Sequence, residues 1–352
     1  MTQGHAQSTA MIAVSLAAAA MAAFLAVLAP AASASPAGTI TEYAIPTPDS
    51  LPAAIAAGPH GKLWFTESGA DKIGRINPAG GEITEYPIPT AGSVPDGIAA
   101  GPEGDLWFTE NAGEKIGRID PGTGAITEYP VATAGASPFA IVAGPHGDLW
   151  FTEWPGEKVG VLNPKTGKVT EYRTPTPLSL PFGIAAGPDG DLWFTEYGGD
   201  KIASISPTTG AITEYPIPTA DRVPEGIAPG PEGDLWFTES GSNLIDGPLD
   251  PRDAIGKLDP ATGAITEYPV PAAGSLPESI AAAPDGDLWF TEAGSDKIGR
   301  IRPTTGAITE YPVPTALSWP RGIAAEPDGD LWFTEFEGNK VGKISAGVKS
   351  EK

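Results

Sequence analysis

Short runs of alternating polar and apolar residues, separated by turn residues, fill almost the whole chain. In residues 94–133 a small apolar run, GIAAG, is followed by LWFTE, by KIGRI and by AITEYPV, with PEGD, NAGE and DPGTG between them. KIGRI alternates with a period of two, which is typical of a strand with one buried face. Glycine, proline, asparagine and aspartate in the intervening segments favour turns. The unit therefore predicts four antiparallel strands and no helix.

This unit recurs along the chain. The pentapeptide LWFTE occurs seven times, and its tryptophans are 43 residues apart except for one step of 53. The longer step contains an insertion, Asn243–Asp253, which predicts a surface loop. Four strands in a repeat of about 40–50 residues are typical of a β-propeller blade. The repeated tryptophans are Trp64, Trp107, Trp150, Trp193, Trp236, Trp289 and Trp332.

The two ends of the chain complement each other. The first ITEY segment, at Ile40, has no LWFTE before it, and the last LWFTE, at Leu331, has no ITEY after it. Pairing the lone first strand with the last three strands closes the ring and removes an unpaired sheet edge. We therefore predict an all-β fold, a seven-bladed β-propeller of four-stranded blades over residues 36–346, in which Thr39–Pro46 completes the last blade. Residues 347–352 form a C-terminal tail.

Residues 1–35 have a different composition from the repeats. An apolar run rich in alanine and leucine precedes Ala32, Ser33 and Ala34, and small residues in this pattern are typical of a signal-peptide cleavage site. This segment predicts export and a secreted, extracellular protein released after Ala34. No lysine or arginine precedes the run, so an uncleaved N-terminal membrane anchor is the alternative.

The strongly acidic composition limits the classes of partner. The formal net charge is −23, and every charged residue follows the N-terminal segment. Such a charge repels nucleic acid and anionic lipid. We therefore expect no nucleic-acid partner, no membrane partner after cleavage of the signal, and a monomer in solution.

A ligand site is expected where the copies differ, because residues identical in every blade are explained by the scaffold. Two positions vary at the end of the ring where the GIAAG strands begin, which we call the top face: the residue after the proline of that strand, and the residue after FTE. Aromatic side chains with a few polar groups at one face predict a site for a small-molecule or peptide ligand. The alternative is that the aromatic rings pack together and plug the central channel. The predicted ligand-binding residues are Asp96, Phe139, Trp154, Phe182, Tyr197, Glu225 and Trp319.

The unit PxGIAxGPxGDLWFTExxxxKIGRIxPxTGAITEYPIPT resembles the streptogramin B lyase (virginiamycin B lyase) family over about the whole mature chain. The resemblance implies a propeller that opens cyclic depsipeptide antibiotics by elimination at the ester, with a magnesium ion and histidine. The family's histidines follow the prolines of the innermost strands in the last two blades, where this chain has Glu278 and Arg321. These two residues are therefore the candidate catalytic positions. The family's metal-binding glutamate before the last proline corresponds to Trp319, and its second metal-binding glutamate to Glu337.

The changed residues leave three hypotheses for the function. The first is a secreted propeller of this family that binds a ligand on its top face and has lost the antibiotic-opening chemistry, because arginine cannot act as a base. The second is a magnesium-dependent carbon–oxygen lyase that opens a cyclic depsipeptide or lactone with Glu278 as the base. The third is a non-enzymatic interaction scaffold in the cell envelope. Magnesium is implied by the resemblance alone.

Overall fold

The computed structural model describes residues 35–241 and 253–347. The predicted signal segment or anchor lies outside these residues except for Ser35, and so do the tail beyond Gly347 and all of the insertion but Asp253. No helix in the described part of the chain is long and apolar enough to cross a membrane.

Seven four-stranded sheets make up the described chain, and each sheet is antiparallel. In six of them four consecutive strands lie side by side, and in the seventh the first strand of the chain joins the last three. This arrangement confirms the predicted seven-bladed β-propeller.

The first four blades consist of β2 (Pro52–Ala57), β3 (Leu63–Glu67), β4 (Lys72–Ile76) and β5 (Ile83–Pro87); β6 (Pro95–Ala100), β7 (Leu106–Glu110), β8 (Lys115–Ile119) and β9 (Ile126–Pro130); β10 (Pro138–Ala143), β11 (Leu149–Glu153), β12 (Lys158–Asn163) and β13 (Lys168–Arg173); and β14 (Pro181–Ala186), β15 (Leu192–Glu196), β16 (Lys201–Ile205) and β17 (Ile212–Pro216). The last three consist of β18 (Pro224–Pro229), β19 (Leu235–Glu239), β20 (Ala254–Leu258) and β21 (Ile265–Pro269); β22 (Pro277–Ala282), β23 (Leu288–Glu292), β24 (Lys297–Arg302) and β25 (Ala307–Pro312); and β26 (Pro320–Ala325), β27 (Leu331–Glu335), β28 (Lys340–Ile344) and β1 (Ile40–Ala44). Single 3-10 turns are formed by Pro59–Gly61, Pro102–Gly104 and Ala293–Ser295.

The N-terminal strand closes the ring. It pairs antiparallel with β28 from Ile40 opposite Ile344 to Ala44 opposite Lys340. The Tyr43 ring stacks on Trp332 of the same blade with centroids 5.4 Å apart, as the tyrosine and tryptophan do in blades 1, 3, 5 and 6. The strand at the start of the chain therefore replaces the missing fourth strand of blade 7, as the sequence predicts.

The LWFTE strand is the core of each blade. In the first copy, Leu63–Glu67, every residue is buried, and Trp64 packs with Ile98 and Phe108 of the next blade. The Phe65 ring covers Gly74 of the neighbouring strand, where a Cβ atom would lie 2.1 Å from the ring. The absence of a Cβ atom lets the ring lie this close to the strand, which accounts for the glycine at this position in six blades; blade 4 has Ala203 there, opposite Phe194.

The glutamate of LWFTE does not form an ion pair with the lysine opposite it. Glu67 stands opposite Lys72 in register, but Lys72 Nζ lies 3.5 Å from Oε2 of Glu85 on the outer strand. Burial, and then the neighbouring Glu85 carboxylate, raises the pKa of Glu67 to about 8. This glutamate is therefore a neutral carboxyl at pH 7, beside an ionised carboxylate that holds the lysine.

Candidate functional site

Each innermost strand bends at the variable residue that follows its first proline. In blade 3, Pro138 pairs with Glu153 and Ile141 with Phe151, so that Phe139 and Ala140 of β10 oppose a single residue of β11. All seven innermost strands have this irregularity. A bulge of this kind changes the direction in which a side chain points. Here the variable side chains line the central channel.

A threonine of each LWFTE strand fixes the backbone at this bend. Thr152 Oγ1 accepts a hydrogen bond from Ala140 N at 3.1 Å and donates one to the carbonyl oxygen of Phe182 in the next blade at 2.6 Å. The constant threonines thus hold the main chain of every variable residue around the ring. The other six pairs are Thr66 with Asp96, Thr109 with Phe139, Thr195 with Glu225, Thr238 with Glu278, Thr291 with Arg321, and Thr334 with Ala53.

The two variable positions of one blade contact each other in four blades. In blade 3 the Phe139 and Trp154 rings are 6.3 Å apart, and in blade 4 the Phe182 and Tyr197 rings are 5.6 Å apart. The equivalent contact in blade 5 is a hydrogen bond from Ser240 Oγ to Glu225 Oε1 at 2.6 Å. In blade 7 it is the Arg321 guanidinium, 5.2 Å from the Phe336 ring centroid. In these four blades the top-face side chain is therefore supported by a partner from its own blade.

These side chains surround a cavity of ≈ 460 Å³ on the top face. A smaller space of ≈ 130 Å³ lies in the central channel, and residues such as Asp96, Glu225, Glu278 and Arg321 line it. All the sequence-predicted site residues except Asp96 line the top-face cavity, whereas Asp96 lines the channel. The lining residues of the top-face cavity are Phe139, Trp154, Phe182, Tyr197, Glu225, Glu278, Trp319, Arg321, Phe336 and Glu337.

Arg321 of blade 7 connects acidic residues of two other blades. Its Nη2 lies 3.2 Å from Asp96 Oδ1, and its Nε lies 3.4 Å from Glu278 Oε2. The guanidinium also lies 5.8 Å from the Phe139 ring centroid, on the far side from Phe336. One cation therefore serves two carboxylates and two aromatic faces at the top of the channel.

Glu278 is held by two donors. Trp319 Nε1 donates a hydrogen bond to Glu278 Oε1 at 2.8 Å, and Arg321 is the ion-pair partner of Oε2. Burial raises the pKa of Glu278, although Arg321 and Trp319 act in the opposite direction. Both oxygens are thus engaged, which leaves Glu278 poorly placed to remove a proton from a ligand.

Glu225 is the acidic residue without a cation in the site. It is 9% exposed, and Ser240 is its one hydrogen-bond donor within the described chain. Burial, and then the Glu278 carboxylate, raises the pKa of Glu225 to about 8. Glu225 lines the cavity, and within the described residues its second carboxyl oxygen has no hydrogen-bond donor.

The aromatic residues of blades 3 and 4 form one continuous wall. The Phe139 and Phe182 rings are 4.2 Å apart, and each touches the ring of its own blade, Trp154 or Tyr197. The rings therefore pack together, as the plugging hypothesis expects, but they also line an open cavity. Phe336 and Trp319 of blade 7 line the same cavity.

Sequence reasoning missed two contributors to the site. Ser240 was identifiable, because it occupies the same variable position after FTE as Trp154 and Tyr197. The threonines could not be identified from the sequence. They are identical in every blade, and the sequence does not show where a hydroxyl group points. Glu337, the candidate metal ligand, is exposed at the edge of the cavity.

This chain is similar to known proteins both by family and by fold. A model of the virginiamycin B lyase family matches residues 31–191, 163–249 and 185–351. The structure of virginiamycin B lyase from Staphylococcus aureus is 37% identical over 87% of this chain and 99% of that chain, with a TM-score of 0.80. A catalytically inactive histidine variant of that enzyme, solved with quinupristin, is 38% identical over 87% and 99%, with a TM-score of 0.79. A streptogramin B lyase structure is 36% identical over 87% and 97%, with a TM-score of 0.80. No curated protein matches the chain.

Proposed function

The chain belongs to the virginiamycin B lyase family, and from that premise we propose that it is an exported propeller that binds a small-molecule or peptide ligand in the top-face cavity without opening streptogramin antibiotics. The observation that carries the proposal is the cavity of ≈ 460 Å³ lined by aromatic and charged side chains at the positions where the blades differ. An apolar concave site with a few convergent polar groups is the usual form of a ligand pocket. The apolar leader in residues 1–35 supports export.

The loss of chemistry follows from the residues that replace the histidines. Elimination requires a base near the α-proton, with a pKa near the working pH. Arg321 has no lone pair to accept a proton, and Glu278 is bound by Arg321 and Trp319. A solved relative with quinupristin has lost its activity through substitution of one histidine. This chain lacks histidine at both corresponding positions.

The residues present do not fit the magnesium ion that the family implies. Mg²⁺ takes oxygen ligands in near-octahedral geometry, and at the position of one family glutamate this chain has Trp319. Within residues 35–241 and 253–347, no three acidic or histidine side chains converge on one point as a metal site would require. We therefore assign no step to a metal.

The first test removes the exposed part of the aromatic wall. Trp154→Ala combined with Tyr197→Ala should weaken the binding of quinupristin at least tenfold, since anchoring aromatic residues often contribute about 2 kcal/mol each. The melting temperature should change by only a few degrees, because Trp154 is 36% exposed. Calorimetric titration and thermal unfolding measure the two effects.

Leu178→Ala is the matched control, because Leu178 is 70% exposed and does not line the cavity. It should leave quinupristin binding unchanged. If the double variant unfolds, the rings are a structural plug. If it folds and binds as well as the parent, the ligand is held elsewhere or the protein is an interaction scaffold.

The second test concerns catalysis. Incubated with quinupristin and Mg²⁺, this protein should open the ring at least a thousandfold more slowly than the S. aureus enzyme does, because general-base catalysis typically contributes about 10²–10⁴ in rate. Elimination leaves the mass unchanged, so chromatography and loss of antibacterial activity are the measurements.

Efficient opening would contradict the proposal and favour a lyase that uses a carboxylate base. Glu225 is then a better candidate than Glu278, because its second oxygen is unengaged and its pKa is raised to about 8. In that case Glu225→Gln, which keeps the acceptor for Ser240, would abolish the activity.

A further inference from the structure

The charges around the cavity do not balance. Asp96, Glu225, Glu278 and the exposed Glu337 supply four carboxyl groups, and Arg321 is the sole basic side chain among the described residues that line the two spaces. Arg321 lies within ion-pair distance of Asp96 and Glu278, and its contact with Glu225 is longer than either. One buried carboxyl therefore lacks a cation, and it faces the cavity.

Burying an unpaired carboxyl group is costly, so its position needs an explanation. Ser240 donates to Oε1 of Glu225, and Glu225 lines both the channel and the top-face cavity. Burial raises the pKa of Glu225, as expected for a buried carboxyl group that has no ion-pair partner among the described residues. A ligand that brings a positive charge to this carboxyl group would remove the cost.

The walls of the cavity favour the same kind of ligand. Aromatic faces attract cations through their quadrupole, and Trp154, Tyr197, Phe139 and Phe182 lie on the side of the cavity next to blade 5, which carries Glu225. Arg321 already uses this attraction, at 5.2 and 5.8 Å from Phe336 and Phe139. A carboxylate beside aromatic faces is suited to an ammonium group rather than to an anion.

We propose that the ligand of this cavity is an organic monocation, with a protonated amine or quaternary ammonium group paired with Glu225 and an apolar body against the aromatic wall. The inference rests on the proposed ligand-binding function and specifies its chemical class. It sets the top face apart from an anion site, because Arg321 is already neutralised by Asp96 and Glu278.

Choline and its neutral carbon isostere, 3,3-dimethylbutan-1-ol, test the charge at constant shape. Titrated into the protein at pH 8.5 and followed by ligand-observed NMR, choline should bind at least tenfold more tightly than the alcohol. Glu225→Gln should reduce this preference to less than threefold and leave binding of the alcohol unchanged. Glu232→Gln is the control, since it removes the same charge from an exposed turn at the opposite end of the same blade and should keep the preference.

The outcomes separate this inference from the proposed function. If the alcohol binds as tightly as choline and both are lost in the Trp154→Ala and Tyr197→Ala double variant, the cavity binds ligands but the cation assignment is wrong. If neither compound binds at 50 mM, the cation assignment is also overturned, and the quinupristin test decides the function separately. Should Glu225→Gln fail to fold, Glu225→Asp keeps the charge but withdraws it from the cavity, and it should weaken choline binding without affecting the alcohol.

Discussion

A chain that starts at residue 47 should melt at least about 10 °C below the chain that starts at Ser35, which corresponds to a loss of about 5 kcal/mol in a domain of this class. The deletion removes β1 and with it the whole outer strand of blade 7. It also removes the Tyr43 ring from Trp332 and the Glu42 carboxylate that lies 2.8 Å from Lys340 Nζ. The edge of β28 would be left unpaired, which also favours association between molecules.

The matched control trims the other end. A chain that stops at Gly347 keeps every strand of the ring and should melt within 2 °C of the full mature chain. Differential scanning calorimetry measures both shifts, and size-exclusion chromatography detects association through the free edge. Equal melting temperatures for the two truncated chains would show that β1 contributes nothing to closure.

The fold was predictable from the sequence because each blade repeats the same pattern of buried residues and turns. Trp64 and Phe65 are buried on both faces of a sheet, and the LWFTE strand that contains them is identical in all seven blades. The closure was predictable for a similar reason. The lone ITEY strand near the N-terminus has no neighbouring strands in its own part of the chain, and the last three strands of the chain lack a fourth. Local patterns therefore determine the ring almost completely.

The site was predictable only as a set of positions. Variation among the blades indicated Phe139, Trp154, Phe182 and Tyr197, and the structure brings their rings together. The ion pair of Arg321 with Asp96 could not be read from the sequence, because these residues are 225 positions apart and the channel brings three acidic residues near one guanidinium. Asp96 and Glu278, which pair with Arg321, belong to blades 2 and 6, and no local pattern encodes that the three side chains meet in the channel.

Blade 5 shows how a departure from the repeat is compensated from a distance. Ala254 occupies the position of the lysine that begins the third strand in the other blades. Arg222, from the loop before the blade, takes over the charge, with Nε 3.2 Å from Glu239 Oε2 and 3.0 Å from Glu267 Oε1. The missing lysine is visible in the sequence, but its replacement is visible only in the structure.

Removal of the guanidinium at the top of the channel should have the largest effect of any single substitution in the site. Arg321→Met should destabilise the protein at pH 8 by about 3–5 kcal/mol, the usual cost of leaving buried charges unpaired. Asp96 and Glu278 lose their ion-pair partner, and Glu225 loses the nearest positive charge. Chemical denaturation at fixed pH measures the change in the free energy of unfolding.

The loss should depend on pH in a direction set by the same carboxyl groups. Burial raises the pKa of Asp96 and Glu278, and the positive charge of Arg321 counteracts this increase in the parent. Without it, the folded variant binds more protons than its unfolded chain above pH 4, so its stability falls as pH rises, and the deficit should be smaller at pH 5 than at pH 8. Arg302→Met is the control, because its side chain is 57% exposed and 3.9 Å from Asp287, and exposed pairs contribute about 0–1 kcal/mol. If the Arg321→Met protein were as stable as this control at pH 8, the three carboxyl groups would be stabilised by water or by protonation. The contribution of Arg321 to the free energy of unfolding would then be small.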